Sequence, residues 1–246
     1  MLDVHAPHKS IHTWKEFCVH IATITVGLLI AIGLEQMVEA IHHRHQREFL
    51  EEQMVHEAED NLRIIKPQLE YAQQLMDYLL ACERALQNPP ADGKSMKITL
   101  PVQPPSNLTG GILISPARGT WTVAKAAGSI ALLPPELAKV YARVDLAAEF
   151  EKAAEDDLTQ KQMQLSTGFV KAHVPLGTVA AISLTAGERD ELLVAFHELF
   201  ESVDLFKFRL AILSGACDAV VAKAQTLHEM YPLQEQSVKK LTTPQP

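Results

Sequence analysis

Histidine is the residue type with the clearest chemical potential, and three of the eleven histidines, His42, His43 and His45, stand close together. Glu39 precedes His42 by three residues, which puts both on one side of a helix. Helical bundles that bind two metal ions use such E-x-x-H pairs, but they need a second pair and two further glutamates. No second E-x-x-H stands in a matching helix. Two interpretations stay open: a surface transition-metal site of Glu39, His42 and His43, or a solvated polar turn that tolerates histidine.

Three other segments begin or end like catalytic motifs: His56-Glu57, His197-Glu198 and Gly93-Lys94-Ser95. Acidic residues stand where a zinc-protease helix has its second histidine, and the third segment lacks the first glycine of a P-loop. An acidic cluster is interpreted as a solvated helix face; it comprises Glu149, Glu151, Glu155, Asp156 and Asp157. We predict no catalytic residue, no cofactor and no enzymatic activity.

The three cysteines match no zinc or redox spacing. Cys18 falls in an apolar stretch, so the one intrachain disulfide to consider joins Cys82 to Cys217. Cys217 also has a place in an apolar helix seam, where a free thiol packs as a small hydrophobic group. The seam favours two free thiols, and the disulfide stays open as the alternative.

Residues 17–34 form an apolar run without a formal charge. As a helix, this run measures about 27 Å and matches a hydrocarbon core of about 30 Å. Trp14 stands just before it, where an interfacial aromatic is expected. We predict an N-terminal tail over residues 1–16 and a transmembrane helix over residues 17–37. A cleaved signal peptide would have a shorter apolar run, and a buried core helix would not have such abruptly polar flanks.

Small side chains recur every fourth residue in this predicted span, at Thr23, Gly27 and Ala31. Such a small-xxx-small face lets two membrane helices approach closely. The pattern predicts a helix–helix contact and hence a homo-oligomer or a membrane-protein partner. The alternative is that glycine and alanine are simply common in membrane helices.

The orientation of the span depends on few charges. Lys9 and Lys15 precede it, Arg44 and Arg47 follow it, and this count is a tie. The free amino terminus adds one positive charge to the N-terminal side. We therefore expect the N-terminus inside the cell and the soluble domain outside the cytoplasm. The lipid bilayer is the first predicted partner, and the net charge of −8 argues against nucleic acid.

A helical soluble domain is predicted over residues 38–230. Apolar residues in steps of three and four form a heptad-like seam over residues 55–79, with Pro67 inside it. Residues 87–115 are rich in proline and glycine and are predicted to be a loop insertion. Within that loop, residues 98–100 and 112–114 are two short apolar runs that we interpret as a small hairpin.

The second half of the domain shows clearer helix signals. Ser115-Pro116 and Pro134-Pro135 are typical helix starts, and Thr185 with Glu188 forms a capping box. An apolar seam follows over residues 192–227. It predicts one long helix from Glu188 to Met230, ended by Pro232. Residues 231–246 are then expected to be a flexible tail.

These elements predict an all-α fold: one N-terminal transmembrane helix followed by an elongated antiparallel helical bundle, with a Pro/Gly-rich loop insertion. Long amphipathic helices need to bury their apolar seams against each other, and a bundle is the economical solution. The composition agrees, because alanine and leucine are frequent and aromatic residues make up only 6% of the chain.

Two segments resemble a group of bacterial single-span membrane proteins, the DUF6090-like proteins. The first is the run from Val26 to Ile32, continued by Glu51, Glu57 and Asn61-Leu62; the second is Trp121, Ala127-Gly128 and Leu132-Leu133-Pro134. Histidine-rich flanks stand here in place of the lysine- and arginine-rich flanks typical of the group. The resemblance covers about a third of the chain. It implies a bacterial membrane protein, which we expect in the inner membrane, and it implies no activity.

Three functional hypotheses follow. The first is a membrane-anchored, non-enzymatic interaction or scaffold protein, because long seams occur without a convergent polar site. The second is an extracytoplasmic small-molecule sensory bundle that acts through a partner chain, since only 16 residues precede the span. The third is a juxtamembrane metal-binding protein that uses Glu39, His42 and His43.

Overall fold

The computed structural model describes residues 14–87, 96–99, 113–171 and 181–242. The chain divides into two compact units, Met1–Phe49 and Leu50–Pro246. The first helix, α1, covers Trp14–Gln87 and contributes to both units. The predicted continuation of the helix through Pro67 is therefore confirmed.

The first unit consists, in its described part, of the N-terminal portion of α1. Every side chain from residue 14 to residue 46 is exposed, including Leu28, Leu29 and Ile30, which are each about 60% exposed. The helix is long and apolar enough to cross a membrane. Trp14 and Phe17 stack at its start, with ring centroids 5.4 Å apart.

The second unit is built from the rest of α1 and four further α-helices. Their bounds are α2 Gly119–Ala127, α3 Pro135–Lys171, α4 Ala186–Val221 and α5 Leu227–Thr242, with a 3₁₀ turn at Ser129–Leu132 and two strands, β1 Met96–Thr99 and β2 Ala181–Leu184. The described residues thus belong to the predicted all-helical class, apart from one short pair of strands.

The core lies where α3 and α4 face each other and α1. Phe169 packs edge-to-face on Phe196, with centroids 5.8 Å apart, and Lys161 bonds Glu198 at 2.8 Å. From the first pair to the second, the residue number falls along α3 and rises along α4. Leucines and phenylalanines of α4, among them Phe206 and Leu210, are completely buried. Their burial supplies the main favourable free energy of this unit.

The strand pair corrects the predicted hairpin. β1 pairs antiparallel with β2, with Ile98 opposite Ile182, whereas we expected residues 98–100 to pair with residues 112–114. Residue 112 and the rest of the loop, residues 88–95 and 100–111, lie outside the described residues. The hairpin prediction was wrong because it used only local sequence, and β2 comes from a segment more than 80 residues away.

The C-terminal region differs from the predicted single helix over Glu188–Met230. α4 ends at Val221, and α5 begins at Leu227. Lys223 adopts the left-handed conformation with φ 60°. The amides of Lys223 and Ala224 bond to the carbonyls of Val220 and Ala219, both at 2.9 Å. This Schellman arrangement ends a helix and reverses the chain, and a lysine in place of glycine hides it from sequence inspection.

The predicted flexible tail over residues 231–246 is also corrected. α5 extends to Thr242, and Pro232 lies inside it rather than ending α4. Met230 is completely buried, and the Gln234 side chain donates to the carbonyl of Ile212 at 3.0 Å. Packing on α4 offsets the backbone hydrogen bond that Pro232 removes. Residues 243–246 lie outside the described residues.

Gly215 is the point of closest approach between α4 and α5. A Cβ atom at this position would lie 2.5 Å from the Cα atom of Gln234 and 3.1 Å from the Cβ atom of Ser237. Ser237 also donates to Asp218 at 2.8 Å. Only glycine lets the two backbones pack at this distance.

Candidate functional site

Residues 113–118, named here the strap, run between α1 and α3 and are held by buried polar side chains. The Asn61 amide of α1 donates to the Ala117 carbonyl at 2.9 Å and accepts from the Ala117 amide at 2.7 Å. Asn61 is 1% exposed. One side chain thus satisfies both backbone groups of one residue, as a neighbouring strand would do.

Two further side chains of α1 form hydrogen bonds to the strap and to the start of α2. Gln68 donates to the Ile114 carbonyl at 2.6 Å, and Glu57 accepts from the Thr120 amide at 2.7 Å. The second bond caps α2, whose own preceding residue, Arg118, provides no side-chain cap. A carboxylate at a helix N-terminus also stabilises the helix dipole. α1 therefore fixes both the strap and the start of α2.

The other side of the strap is fixed to α3 by charged groups. Ser115 donates to Glu155 at 2.7 Å, and the Arg118 guanidinium bonds Asp145 at 2.8 Å. Lys125 reaches the same carboxylate at 3.1 Å. Burial opposes ionisation of Asp145, but these two cations outweigh burial and lower its pKa. The predicted helix start at Ser115 is corrected: α2 begins at Gly119, because Ser115 serves this bond instead.

Asn61 should be sensitive to truncation. Asn61→Ala removes both bonds to Ala117, so the Ala117 N–H and carbonyl lose their side-chain partner. We expect a loss of about 2 kcal/mol in the free energy of unfolding. Urea denaturation followed by circular dichroism measures the loss. Asn61→Asp keeps the acceptor and loses the donor, so this variant should also have a lower free energy of unfolding than the unmodified chain. Equal stability of all three proteins would show that these two bonds contribute nothing.

Glu151 is the most unusual ionisable group among the described residues. It is completely buried in α3, and neither carboxylate oxygen has a hydrogen-bond partner. Burial, reinforced by the negative charge of Glu155, raises the pKa of Glu151 to about 8. The carboxyl group is consequently neutral at pH 7, which limits the cost of burying it.

These buried polar residues were missed in the sequence. The acidic cluster was expected to be a solvated face, but Glu151 and Glu155 are buried, and only Glu149, Asp156 and Asp157 are exposed. The seam of α1 is also rotated, so that it takes in Asn61 and Gln68. On a helical wheel, Glu151 and Glu155 lie on the same face as the apolar Leu158, and that apolar neighbour was the available signal.

The predicted metal ligands do not converge on one point. His43 lies 3.9 Å from Glu39, whereas a ring nitrogen of His42 pairs with Gln46 at 2.9 Å. No group of three histidine, cysteine, aspartate or glutamate side chains suited to a metal occurs in the described part of the chain. Glu39 and His43 remain one helical turn apart as an exposed pair.

Thr23, Gly27 and Ala31 lie in the exposed apolar part of α1. The Thr23 hydroxyl donates to the Val19 carbonyl at 2.9 Å, which satisfies it within the helix. A Cβ at Gly27 would meet nothing within 4 Å. The three residues share one helix face, and the predicted contact through that face stays a prediction.

The remaining motif fragments have structural roles or lie outside the described residues. Glu57 caps α2, and His56 lies 3.6 Å from Asp60. Gly93-Lys94-Ser95 is outside the described ranges. All three cysteines are free; burial raises the pKa of Cys82 to about 11 and that of Cys217 to about 12, so both thiols stay protonated.

One groove opens between the end of α3 and the start of α4. Its volume is about 520 Å³, and its lining includes Thr167, Gly168, Lys171, Glu188 and Leu192. Both signs of charge are present, and Leu192 provides an apolar floor. The size falls within the range of small-molecule sites.

No match to this chain is found among protein-family models, curated proteins or solved structures.

Proposed function

We propose that this protein is a membrane-anchored interaction or scaffold protein without enzymatic activity. One observation carries the proposal: no residue in the apolar N-terminal part of α1 is buried. Leaving a large apolar side chain in water costs roughly 1–3 kcal/mol. A run of about 18 mostly apolar positions in succession favours a lipid environment strongly.

The second unit supports a non-enzymatic role. Its partly buried Glu57 and its buried Asn61 and Gln68 bind backbone groups, and Glu155 binds Ser115. These bonds hold helices together. We propose an elongated antiparallel bundle that works as a rigid platform for a partner, since long helices with fixed connections present large surfaces at little entropic cost.

The proposal includes a bacterial inner-membrane location, in line with the resemblance to DUF6090-like proteins, and a soluble domain outside the cytoplasm. Protease treatment of intact spheroplasts tests the orientation. An extracytoplasmic domain is degraded without lysis, and a domain on the cytoplasmic side is degraded only after lysis.

Membrane anchoring is tested by washing isolated membranes with alkaline carbonate and then with detergent. The full chain should stay in the pellet during the wash and dissolve in detergent. Ile30→Lys places a charge in the span and should reduce retention, whereas Met163→Lys, at an equally exposed apolar position of α3, should not. Release of the unmodified chain by carbonate would contradict anchoring.

The scaffold role is tested by chemical cross-linking in native membranes, followed by purification and mass spectrometry. A stoichiometric partner, whether a second copy or another membrane protein, supports the proposal. A chain that is strictly monomeric in its membrane contradicts it.

A small-molecule sensory bundle is the second candidate, and the groove beside Lys171 and Glu188 favours it. Opposite charges beside an apolar floor suit a zwitterionic ligand such as an amino acid. A thermal-shift screen with amino acids should then raise the melting temperature. Lys171→Ala should abolish that shift, and a screen without any stabilising compound would count against this function.

A further inference from the structure

An apolar patch on the second unit is left uncovered. It is formed by Phe150 of α3 with Leu205 and Phe208 of α4, each more than 40% exposed. Arg209 lies among these side chains: its guanidinium carbon is 5.0 Å from the Phe150 ring centroid and 6.0 Å from that of Phe208. Aromatic rings beside an arginine are the composition of interface hot spots.

Two charges that flank this patch have no ionic partner among the described residues: Asp204 and Arg209. Several other charged side chains of α3 and α4 do have one; Lys161, for example, binds Glu198 at 2.8 Å. Asp204 and Arg209 are five residues apart on one helix, on opposite sides of the Leu205–Phe208 pair. Neither charge can therefore bind the other within the same chain.

Heptad geometry relates these four residues. When Leu205 is placed at position a, Phe208 falls at d, Asp204 at g and Arg209 at e. In a parallel pair of helices, a and d form the seam, and g of one helix pairs with e of the other, five residues further on. The large apolar side chains that are buried in this stretch fall at f and b; they are Val203, Phe206 and Leu210. The face toward the protein's own core is therefore opposite to the exposed seam.

We propose that this patch docks a second copy of the same chain. The two α4 helices run parallel, and Asp204 of each copy pairs with Arg209 of the other. Leu205 and Phe208 meet their counterparts in the seam, and Phe150 extends the apolar contact from α3. The inference deepens the proposed scaffold function and rests on it, because it names the partner as an identical chain.

Charge complementarity favours an identical chain over an unrelated partner. A two-fold parallel pair forms the contact between Asp204 and Arg209 twice, and it covers the two unpaired charges of both copies at once. A two-fold axis along the membrane normal relates two anchored chains of equal orientation. Under that axis, a helix close to the membrane normal runs nearly parallel to its counterpart.

The test uses full-length chains with two different affinity tags, co-expressed and extracted from membranes in detergent. In a homodimer, Arg209→Glu brings the introduced carboxylate against Asp204 of the other copy, and Asp204→Arg brings the introduced guanidinium against Arg209. Each variant alone should lose about tenfold in co-purification, because like charges across an interface repel. The carbonate wash scores anchoring separately, so loss of anchoring is distinguished from loss of pairing.

The two variants co-expressed with each other provide the decisive measurement. In that pair, the two introduced side chains face each other with opposite charges, and the two unmodified side chains, Asp204 and Arg209, form the second contact. Co-purification should return to within about threefold of the unmodified chain. A misfolded variant would not be rescued in this way. Glu70→Arg, an equal charge change at an exposed position of α1, serves as the control and should have no effect.

The proposal is overturned if both single variants co-purify as well as the unmodified chain, or if the mixed pair recovers nothing. Glu201 provides a second test, since it occupies the preceding d position and would face Glu201 of the other copy. Glu201→Gln should strengthen co-purification by removing that repulsion. A weaker association of this variant would contradict the parallel register.

Discussion

Gly215→Ala is expected to detach α5 from α4 and to destabilise the second unit by about 3 kcal/mol or more. The added methyl group would lie 2.5 Å from the Cα atom of Gln234 and 3.0 Å from its carbonyl oxygen. Both are backbone atoms of α5, so no side-chain rotation relieves the overlap. The helix as a whole has to move, and the buried contacts of Met230 weaken with it.

Chemical denaturation measures the loss, and amide hydrogen exchange shows where it occurs. We expect faster exchange in α5 well below the denaturation midpoint. Gly187→Ala is the matched control, because Gly187 lies in the same helix and its Cβ would meet nothing within 4 Å. That change should leave stability equal or slightly higher, since alanine favours helix. Equal stability of the two variants would mean that α5 does not pack at Gly215.

Glu151→Gln is expected to stabilise the protein at alkaline pH and to have little effect at pH 4. The pKa of Glu151 is about 8 in the folded protein, because burial disfavours its charge. In the unfolded chain it titrates near its usual value of 4.5. The folded state therefore binds more protons between these two values, and stability falls as the pH rises through this window.

The effect should reach about 4 to 5 kcal/mol above pH 8, where the folded protein has lost the proton as well. Glutamine has the shape of a protonated carboxyl group and cannot ionise, so it removes this slope. Thermal melts from pH 4 to pH 9 measure the difference. Glu149→Gln, an exposed carboxyl in the same helix, serves as the comparison. Parallel pH profiles for Glu151→Gln and the unmodified chain would disprove the buried neutral state.

The apolar segment and the helix ends with local signals were determined by the sequence. The run over residues 17–34 needs no partner to be recognised, because its length alone matches a membrane. The Thr185–Glu188 capping box, predicted from two residues, is present with both bonds. α3 begins at Pro135, as its paired prolines indicate. The two helix starts depend on neighbours within four residues, which a sequence displays directly.

Tertiary structure alone decided the features that depend on distant neighbours. In the sequence, Pro232 looks like a helix terminator, but packing on α4 keeps it inside α5. Lys223 looks like an ordinary helical lysine, but the chain reverses at this residue before α5 begins. The pairing of β1 with β2 joins segments that are far apart in sequence. Local propensity is a weak influence, and burial against another element overrides it.

The buried polar groups show the same division most clearly. Asn61 has the composition of an exposed helix residue, and it is buried because the Ala117 backbone crosses it. Glu151 lies among charged neighbours that predict a solvated face, and it is buried because its side of α3 turns inward. A sequence shows which residues can ionise or donate, whereas only the folded chain determines which of them lose water and find, or fail to find, a partner.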